Sequence, residues 1–321
     1  MSVKVAVVIV NWNGKAHLRD CLVSLSRQTH ADFQALVVDN ASSDGSQQIV
    51  HEMNDDRFSL LQLDENTGFA KANNLGVSHG GGCKWVALLN PDAFPEPCWL
   101  ETLLATANEN ASFAAFGGHL ISAHDHLLSD GTGDAYNFSG RAYRRDHGSP
   151  VELSHREREE VFSPCAAAAL YRRDAWDAVG GFDEDFFCYM EDVDLVFRMR
   201  LQGYRSMYIP RAVCYHVGSA MSGRHSAFSS YHGQRNLVWV YVKNMPSWLF
   251  WLLLPAHIGF NMLAVARFAL RGQLGIVLRA KRDALSALPQ VWQKRRRIQA
   301  QRTVSPAKIW TALDKSLWPK H

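Results

Sequence analysis

Residues 3–10, VKVAVVIV, are apolar at all but one position and mostly β-branched, which predicts a strand covered on both faces. In residues 15–28 the apolar positions Leu18, Cys21, Leu22 and Leu25 recur at three- and four-residue intervals, the spacing of one helix face. Residues 33–38 read as a second buried strand, and Ser43 or Asp44 can cap the helix after it. A third strand is expected over 58–63, a helix over 67–77 and a fourth strand over 85–89. Strands alternating with helices at this spacing predict an α/β domain with a mostly parallel sheet flanked by helices. Further on, order is expected over 161–171, as a helix over 192–202 and as a last strand over 212–217. The polar stretch 124–160, broken by Gly, Asp and Arg/Glu clusters, reads as a long loop or mobile lid.

Polar residues stand where these strands end: Asn11 after the first, Asp39 after the second, Asn66 after the third, Asp92 after the fourth. Open α/β sheets bind ligands beyond the carboxyl ends of their strands, so this coincidence marks a site. Nothing near residues 10–14 matches GxGxxG, which disfavours a dinucleotide fold and an NAD-type oxidoreductase. Asn11 and Asp39 instead offer side-chain polar groups suited to the base and ribose of a nucleotide; for Asp39 the plainer reading is a turn-forming Asp bonded to its own backbone. Two glycines, Gly68 and Gly76, flank a helix start whose amides favour an anion. In Glu191-Asp192-Val193-Asp194 the acids open a helix, where they can simply complement its dipole.

The pattern changes near residue 244. Residues 244–266 hold no Lys, Arg, Asp or Glu, and at about 1.5 Å per residue a helix of this length would cross a bilayer core. Pro255, His257, Gly259 and Asn261 interrupt the run, and Trp248 and Trp251 resemble interfacial anchors. The chain carries a formal +3, but 13 basic and 2 acidic residues fall in 267–321, leaving 21 basic and 29 acidic before it. An acidic body with a basic tail, including Lys294-Arg295-Arg296-Arg297, predicts a helix or broken hairpin lying in an anionic membrane leaflet rather than a full span. The alternative is a buried helix capping the body. No recognised nucleic-acid motif accompanies the basic run, so nucleic acid is not an expected partner.

With 321 residues, 47% of them hydrophobic, the chain is long enough for one large domain plus an appendage. The expected division is 1–240 and 241–321. Six cysteines form no CxxC pair, which argues against a zinc site. The N-terminus lacks a basic n-region and a cleavage site, so a cytosolic chain with reduced thiols is expected.

The segments VVIVNWNG (7–14), VVDNASSDGS (37–46), NTGFAKANNLG (66–76), LLNPDA (88–93) and GGFDEDFFCYMEDVDLVFRMRLQGY (180–204), followed by His216, occur here in one order and spacing. In this the chain resembles the inverting glycosyltransferases of family 2, over roughly residues 3–245. It is most similar to the branch with rhamnosyltransferases and galactofuranosyltransferases of bacterial surface polysaccharide assembly. The resemblance implies a GT-A fold and a nucleotide pocket lined by Asn11 and Asp39, with Asn66, Gly68 and Asn73 near the donor. It implies Mg²⁺ or Mn²⁺ on Asp92 and His216. The family's Asp-x-Asp begins here with Asn90, where an amide can still bond the ribose. It implies Asp192 as general base, with Glu191 orienting the acceptor, and leaves Asp194 to the helix dipole. Arg224 or Arg235 could close over the diphosphate, and the small residues 164–170 could border the acceptor.

The expected activity is inverting transfer of a sugar, with rhamnose a candidate, from a UDP- or dTDP-sugar to a glycan, in lipid-linked form. The expected place is the cytoplasmic face of the inner membrane, with peripheral or monotopic attachment. Two rivals are a non-catalytic sugar-nucleotide-binding scaffold and a processive synthase. The latter carries several spans and Gln-x-x-Arg-Trp, which Gln234-Arg235-Asn236 does not match.

Overall fold

The computed structural model describes residues 5–218 and 226–317. Strand β1 (Val5–Asn11) is buried at every position, as its two-faced apolar run requires. Helix α1 (Leu18–Ser26), β2 (Phe33–Asp39), α2 (Gln47–Glu52), β3 (Phe58–Gln62), α3 (Gly68–His79) and β4 (Trp85–Leu89) follow. The four strands lie parallel in the order β3-β2-β1-β4. In that register Asn11 sits beside Asp39, so the polar strand ends do line up.

Beyond β4 the sheet becomes mixed. The chain makes β5 (Ala93–Pro95), α4 (Trp99–Glu109) and a ten-residue strand β6 (Phe113–Ser122). The stretch expected to be a loop instead carries β7 (Ser129–Gly131), the hairpin of β8 (Asp134–Tyr136) and β9 (Ala142–Arg144), and β10 (Glu159–Val161). Asn137 and Tyr143 both donate to the Asp314 carboxylate near the far end of the chain, at 2.8 and 3.1 Å. That anchoring is the physical reason the segment is built in rather than a free lid. Next, β11 (Ala168–Arg172) runs antiparallel between β4 and β6, leading to α5 (Arg173–Val179) and α6 (Glu191–Leu201). The last strand, β12 (Arg205–His216), pairs in parallel with β6. It begins seven residues before the expected 212–217, and its register shifts between Ile209 and Val213. Gly118 allows this: a Cβ there would lie 1.6 Å from the Ala212 carbonyl oxygen.

One apolar core packs α1 and α4 on one sheet face, and another packs α3, α5 and α6 on the other. A third is built by α7 (Ala227–Asn244), α8 (Ser247–Leu270), α9 (Leu274–Ser286), α10 (Leu288–Ala300) and α11 (Pro306–Ala312), together with Phe162, Phe186 and Phe197 of the body. The expected division at 240/241 falls inside α7, whose Lys243 and Asn244 reach Asp194 on α6 at 2.9 and 2.8 Å. Helix α8 is a single 24-residue helix with Pro255 inside it. Of its polar interruptions, His257 turns toward the body and Asn261 accepts from Lys281 of α9. His257 stacks on Tyr241 at 4.0 Å and bonds the Ser139 carbonyl, while Asn261 bonds the His257 carbonyl. Among the described residues it is the one helix long and apolar enough to cross a membrane.

Candidate active site

The parallel strands deliver Asn11 and Asp39 together. The buried Asn11 amide nitrogen donates to Asp39 Oδ1 at 3.0 Å, Ser42 at 3.2 Å and Ser46 at 2.8 Å. Asp39 Oδ2 accepts from the Ser42 N–H and from Gln47. The carboxylate is thus fixed by its own turn, as the plainer reading of Asp39 has it, and is also held by Asn11 and Gln47. Asn11 Oδ1 is buried with no hydrogen-bond partner. Gly14 makes room for it, since a Cβ would lie 2.3 Å from that oxygen.

At the start of α3, Asn66 Oδ1 accepts from the Gly68 N–H at 3.0 Å and from Asn40 at 2.9 Å. Asn40, which the sequence reading passed over, also accepts from the Thr67 N–H and so ties the end of β2 to α3. Gly68 has φ +83°, and a Cβ would meet the Phe187 ring at 2.6 Å. It therefore lies against the loop leading to Asp192. Asn73 donates to the Phe69 carbonyl one turn back in its own helix.

Contacts run on from the Asn11–Asp39 cluster. Gly14 faces Pro91, the Asn90 N–H donates to the Ala167 carbonyl at 2.8 Å, and the Ala166 N–H donates to Asp192 Oδ2 at 3.1 Å. The small-residue wall thus borders Asp192. Asn90 Oδ1 is buried without a partner. Asp92 and His216, 124 positions apart in the chain, come together because β5 pairs with β12. Asp92 Oδ1 stands 3.5 Å from His216 Nε2, and neither atom has a hydrogen bond. His216 Nδ1 is 2.8 Å from Asp130 Oδ2. Burial alone would lower the imidazole pKa, but the two carboxylates outweigh it and hold it up at about 9.

Asp130 in turn accepts from Arg144 at 2.7 Å, and Arg144 reaches the Cys165 sulfur at 2.9 Å and lies 4.0 Å from Asp134. Asp130, Asp134 and Arg144 all lie in the segment read as a lid. Their side chains carry no periodic signal, and only the fold brings them to His216 and Asp192. Asp192 Oδ1 accepts from the Val193 N–H. Burial raises the Asp192 pKa, opposed by its backbone donors and Arg144. Burial and then Asp192 raise Glu191 further, and Glu191 Oε2 is buried without a partner. Asp134 is held at about 7 by burial and by Asp192.

Two expectations for the site differ in the structure. Arg235 does not face it: its guanidinium bonds the Asp185 and Phe186 carbonyls, each at 3.0 Å, and lies over Trp239. Asp194 is more than a dipole partner, being fully buried between Arg198, Lys243 and Asn244. Arg224 lies outside the described residues.

Asp92 and His216 offer one oxygen and one nitrogen, both buried and unbonded, which fits two of the ligands a divalent ion needs. Among the described residues no group of three or more His, Cys, Asp or Glu side chains could hold a metal by itself. The remaining positions would fall to diphosphate oxygens and water.

The sequence model of glycosyl transferase family 2 matches residues 6–180, more than half of the chain. The chain belongs to that family. It is 30% identical over 247 residues to the N-acetylglucosaminyl-diphospho-decaprenol L-rhamnosyltransferase of Mycobacterium tuberculosis, covering 69% of this chain and 78% of that one. Among solved structures it is similar to the mannosyltransferase PcManGT of Pyrobaculum calidifontis in complex with GDP-Man and Mn²⁺. There the TM-score is 0.54 at 19% identity, over 96% of this chain and 85% of that chain. It is also similar to GalNAc-T7 with UDP, GalNAc and Mn²⁺, at TM-score 0.60 and 13% identity. That match takes in 75% of this chain and about half the length of that one, 48%. The mixed sheet flanked by helices is the GT-A architecture, and this family 2 member is a glycosyltransferase.

Proposed function

We propose that this glycosyltransferase moves a sugar, with rhamnose the first candidate, from a UDP- or dTDP-sugar to a lipid-linked glycan with inversion at the anomeric carbon. The observation that carries the reading is one continuous set of contacts from Asn11, through residues 90–92 and the Ala166–Ala167 wall, to Asp192. Asn11, Asp39 and Asn90 hold the nucleoside, and Asn66 with the start of α3 lies beside the donor. Asn73, bonded to its own helix, lies on α3 beyond that start. On the acceptor side Asp192 accepts the hydroxyl proton as the oxygen bonds the anomeric carbon. The bond from that carbon to the diphosphate breaks, and its electron pair leaves with the nucleoside diphosphate. Glu191, its pKa raised by burial and by Asp192, orients the acceptor. Mg²⁺ or Mn²⁺ on Asp92 and His216 would offset charge on the leaving diphosphate.

A lipid-linked acceptor places the enzyme at a membrane, and the outer face of α8 suits that. Trp248, Trp251, Leu252, Ile258, Met262 and Leu263 are exposed along it, and Arg267 and Arg271 follow at its end. This supports monotopic attachment, and the place proposed for it is the cytoplasmic face of the inner membrane. The M. tuberculosis relative is named for a decaprenol-linked acceptor, which agrees with this reading.

Calorimetric titration with UDP-, dTDP-, GDP- and CMP-sugars, with Mn²⁺ and with EDTA, tests the donor half. Mn²⁺-dependent binding of a UDP- or dTDP-sugar, weakened at least ~10-fold in Asp92→Ala, is expected. Binding indifferent to both metal and Asp92→Ala would remove the metal assignment.

A further inference from the structure

Between Phe186 and Glu191 the backbone takes a shape its residues do not favour. Phe187 has φ +63° and ψ −61°, with the Cys188 N–H donating to the Phe186 carbonyl at 2.7 Å, a γ-turn of the strained hand. Tyr189 and Met190 follow at φ +70° and +71°. Every other positive-φ non-glycine among the described residues stands alone. A run of left-handed residues persists only where its surroundings hold it.

Arg235 bonds the Phe186 carbonyl where the turn begins, and the side chain next to it spans the turn. Asn236 of α7 is fully buried, and its amide nitrogen lies 3.0, 2.9 and 2.8 Å from the carbonyl oxygens of Phe186, Cys188 and Tyr189. Its own oxygen accepts from Arg235 Nε at 2.9 Å, which fixes the orientation of the amide. The turn it holds has two neighbours. On one side it leads into α6, and the Met190 carbonyl accepts from the Asp194 N–H at 2.9 Å. On the other, the Phe187 ring fills the space over Gly68, and the Phe187 carbonyl accepts from the Ala70 N–H at 3.1 Å. The first turn of α3 and the first turn of α6 are therefore spaced by this one turn.

We propose that Asn236 is a positioning residue for sugar transfer. By holding the 187–190 turn it sets Asp192 against the donor side of the cleft, without touching substrate itself. The inference rests on Asp192 being the base. It also gives the C-terminal helices a part in the reaction, since the residue that holds the turn lies on α7, the helix that leads into α8.

The test compares the wild-type chain, Asn236→Ala, and Asn236→Ala combined with Met190→Gly. Amide hydrogen exchange over residues 187–193 and steady-state transfer kinetics are both read. Asn236→Ala should speed exchange there ~10-fold or more and lower kcat about 30-fold, in line with the cost of a small misplacement at a reacting centre. Donor KM should change less than kcat, because Asn11, Asp39 and Asn90 do not touch this turn. Glycine takes φ +71° without strain, so Met190→Gly should slow the exchange again and recover much of kcat. Unchanged exchange and kcat in Asn236→Ala would overturn the proposal. So would a loss that Met190→Gly does not relieve, since the amide would then act by packing alone. If Asn236→Ala does not fold, Asn236→Ser, which keeps one donor, is judged by the same criteria. The exchange arm needs no activity, so a failure of the turn and a failure of the base assignment are read separately.

Discussion

A carboxylate that takes a proton near neutral pH must ionise in that range, and burial alone works against ionisation. Asp192 resolves this with two backbone N–H donors and the nearby Arg144, set against burial and against Glu191 and Asp134. The balance leaves its pKa above that of an ordinary Asp. The rate needs the deprotonated form, so kcat/KM should rise with pH through this raised pKa and level off above it. The acid limb should therefore lie above the value of about 3.9 usual for Asp. Arg144→Gln removes an opposing charge and should move the limb to higher pH. A limb at the ordinary value, or a shift to lower pH in Arg144→Gln, would contradict the assignment. His216 shows how a residue's setting escapes the sequence. Its place at the end of a strand was readable, but its partner Asp130 lies 86 positions back in a stretch with no pattern.

At the scale of elements, α6 and α7 meet through a buried charge cluster. Asp194 accepts from Arg198, Lys243 and Asn244, and Lys243 also pairs with Asp183. Removing one partner of a buried pair leaves the others uncompensated, at a cost of roughly 3–5 kcal/mol. Asp194→Ala should lose that much stability in urea denaturation; a loss under about 1 kcal/mol would mean the cluster is not what joins the elements. Strands β1 and β4 were legible because both faces are buried and their apolar runs are unbroken, and β2 because its run is interrupted only at the exposed Gln34. Helix α4 and strand β6 went unread, although they carry core residues such as Trp99 and Phe116. The early half of β12 was hidden by Arg205, Pro210 and Arg211, which break the apolar run where the strand bulges. Strands β7 to β10 are three residues each, too short to show a period; β7 pairs with the end of β6, β8 with β9, and only β10 with distant chain, in β12.

At the scale of the whole molecule, α8 carries two unlike faces. Leu249, Phe250, Leu253 and His257 pack on the body, while Trp251 and Leu263 are 64% and 72% exposed. The interruptions that made the run a poor membrane span are partly those that dock it: His257 bonds the Ser139 carbonyl and Asn261 accepts from Lys281 of α9, leaving the outward side apolar. Vesicles containing anionic lipid should bind the protein, and Trp251→Glu with Leu263→Glu should weaken that binding by about tenfold or more. Higher salt should weaken it further through Arg267 and Arg271. Equal binding by both proteins at all salt concentrations would remove the face from the account.

The central claim is single-displacement transfer with Asp192 as base. The most direct measurement is the anomeric configuration of the product, by NMR, after transfer from the bound donor to a lipid-linked glycan acceptor. The account predicts a configuration opposite to the donor's, and no product from Asp192→Asn although that variant still binds the donor. Retained configuration, or transfer by Asp192→Asn at the wild-type rate, would contradict it.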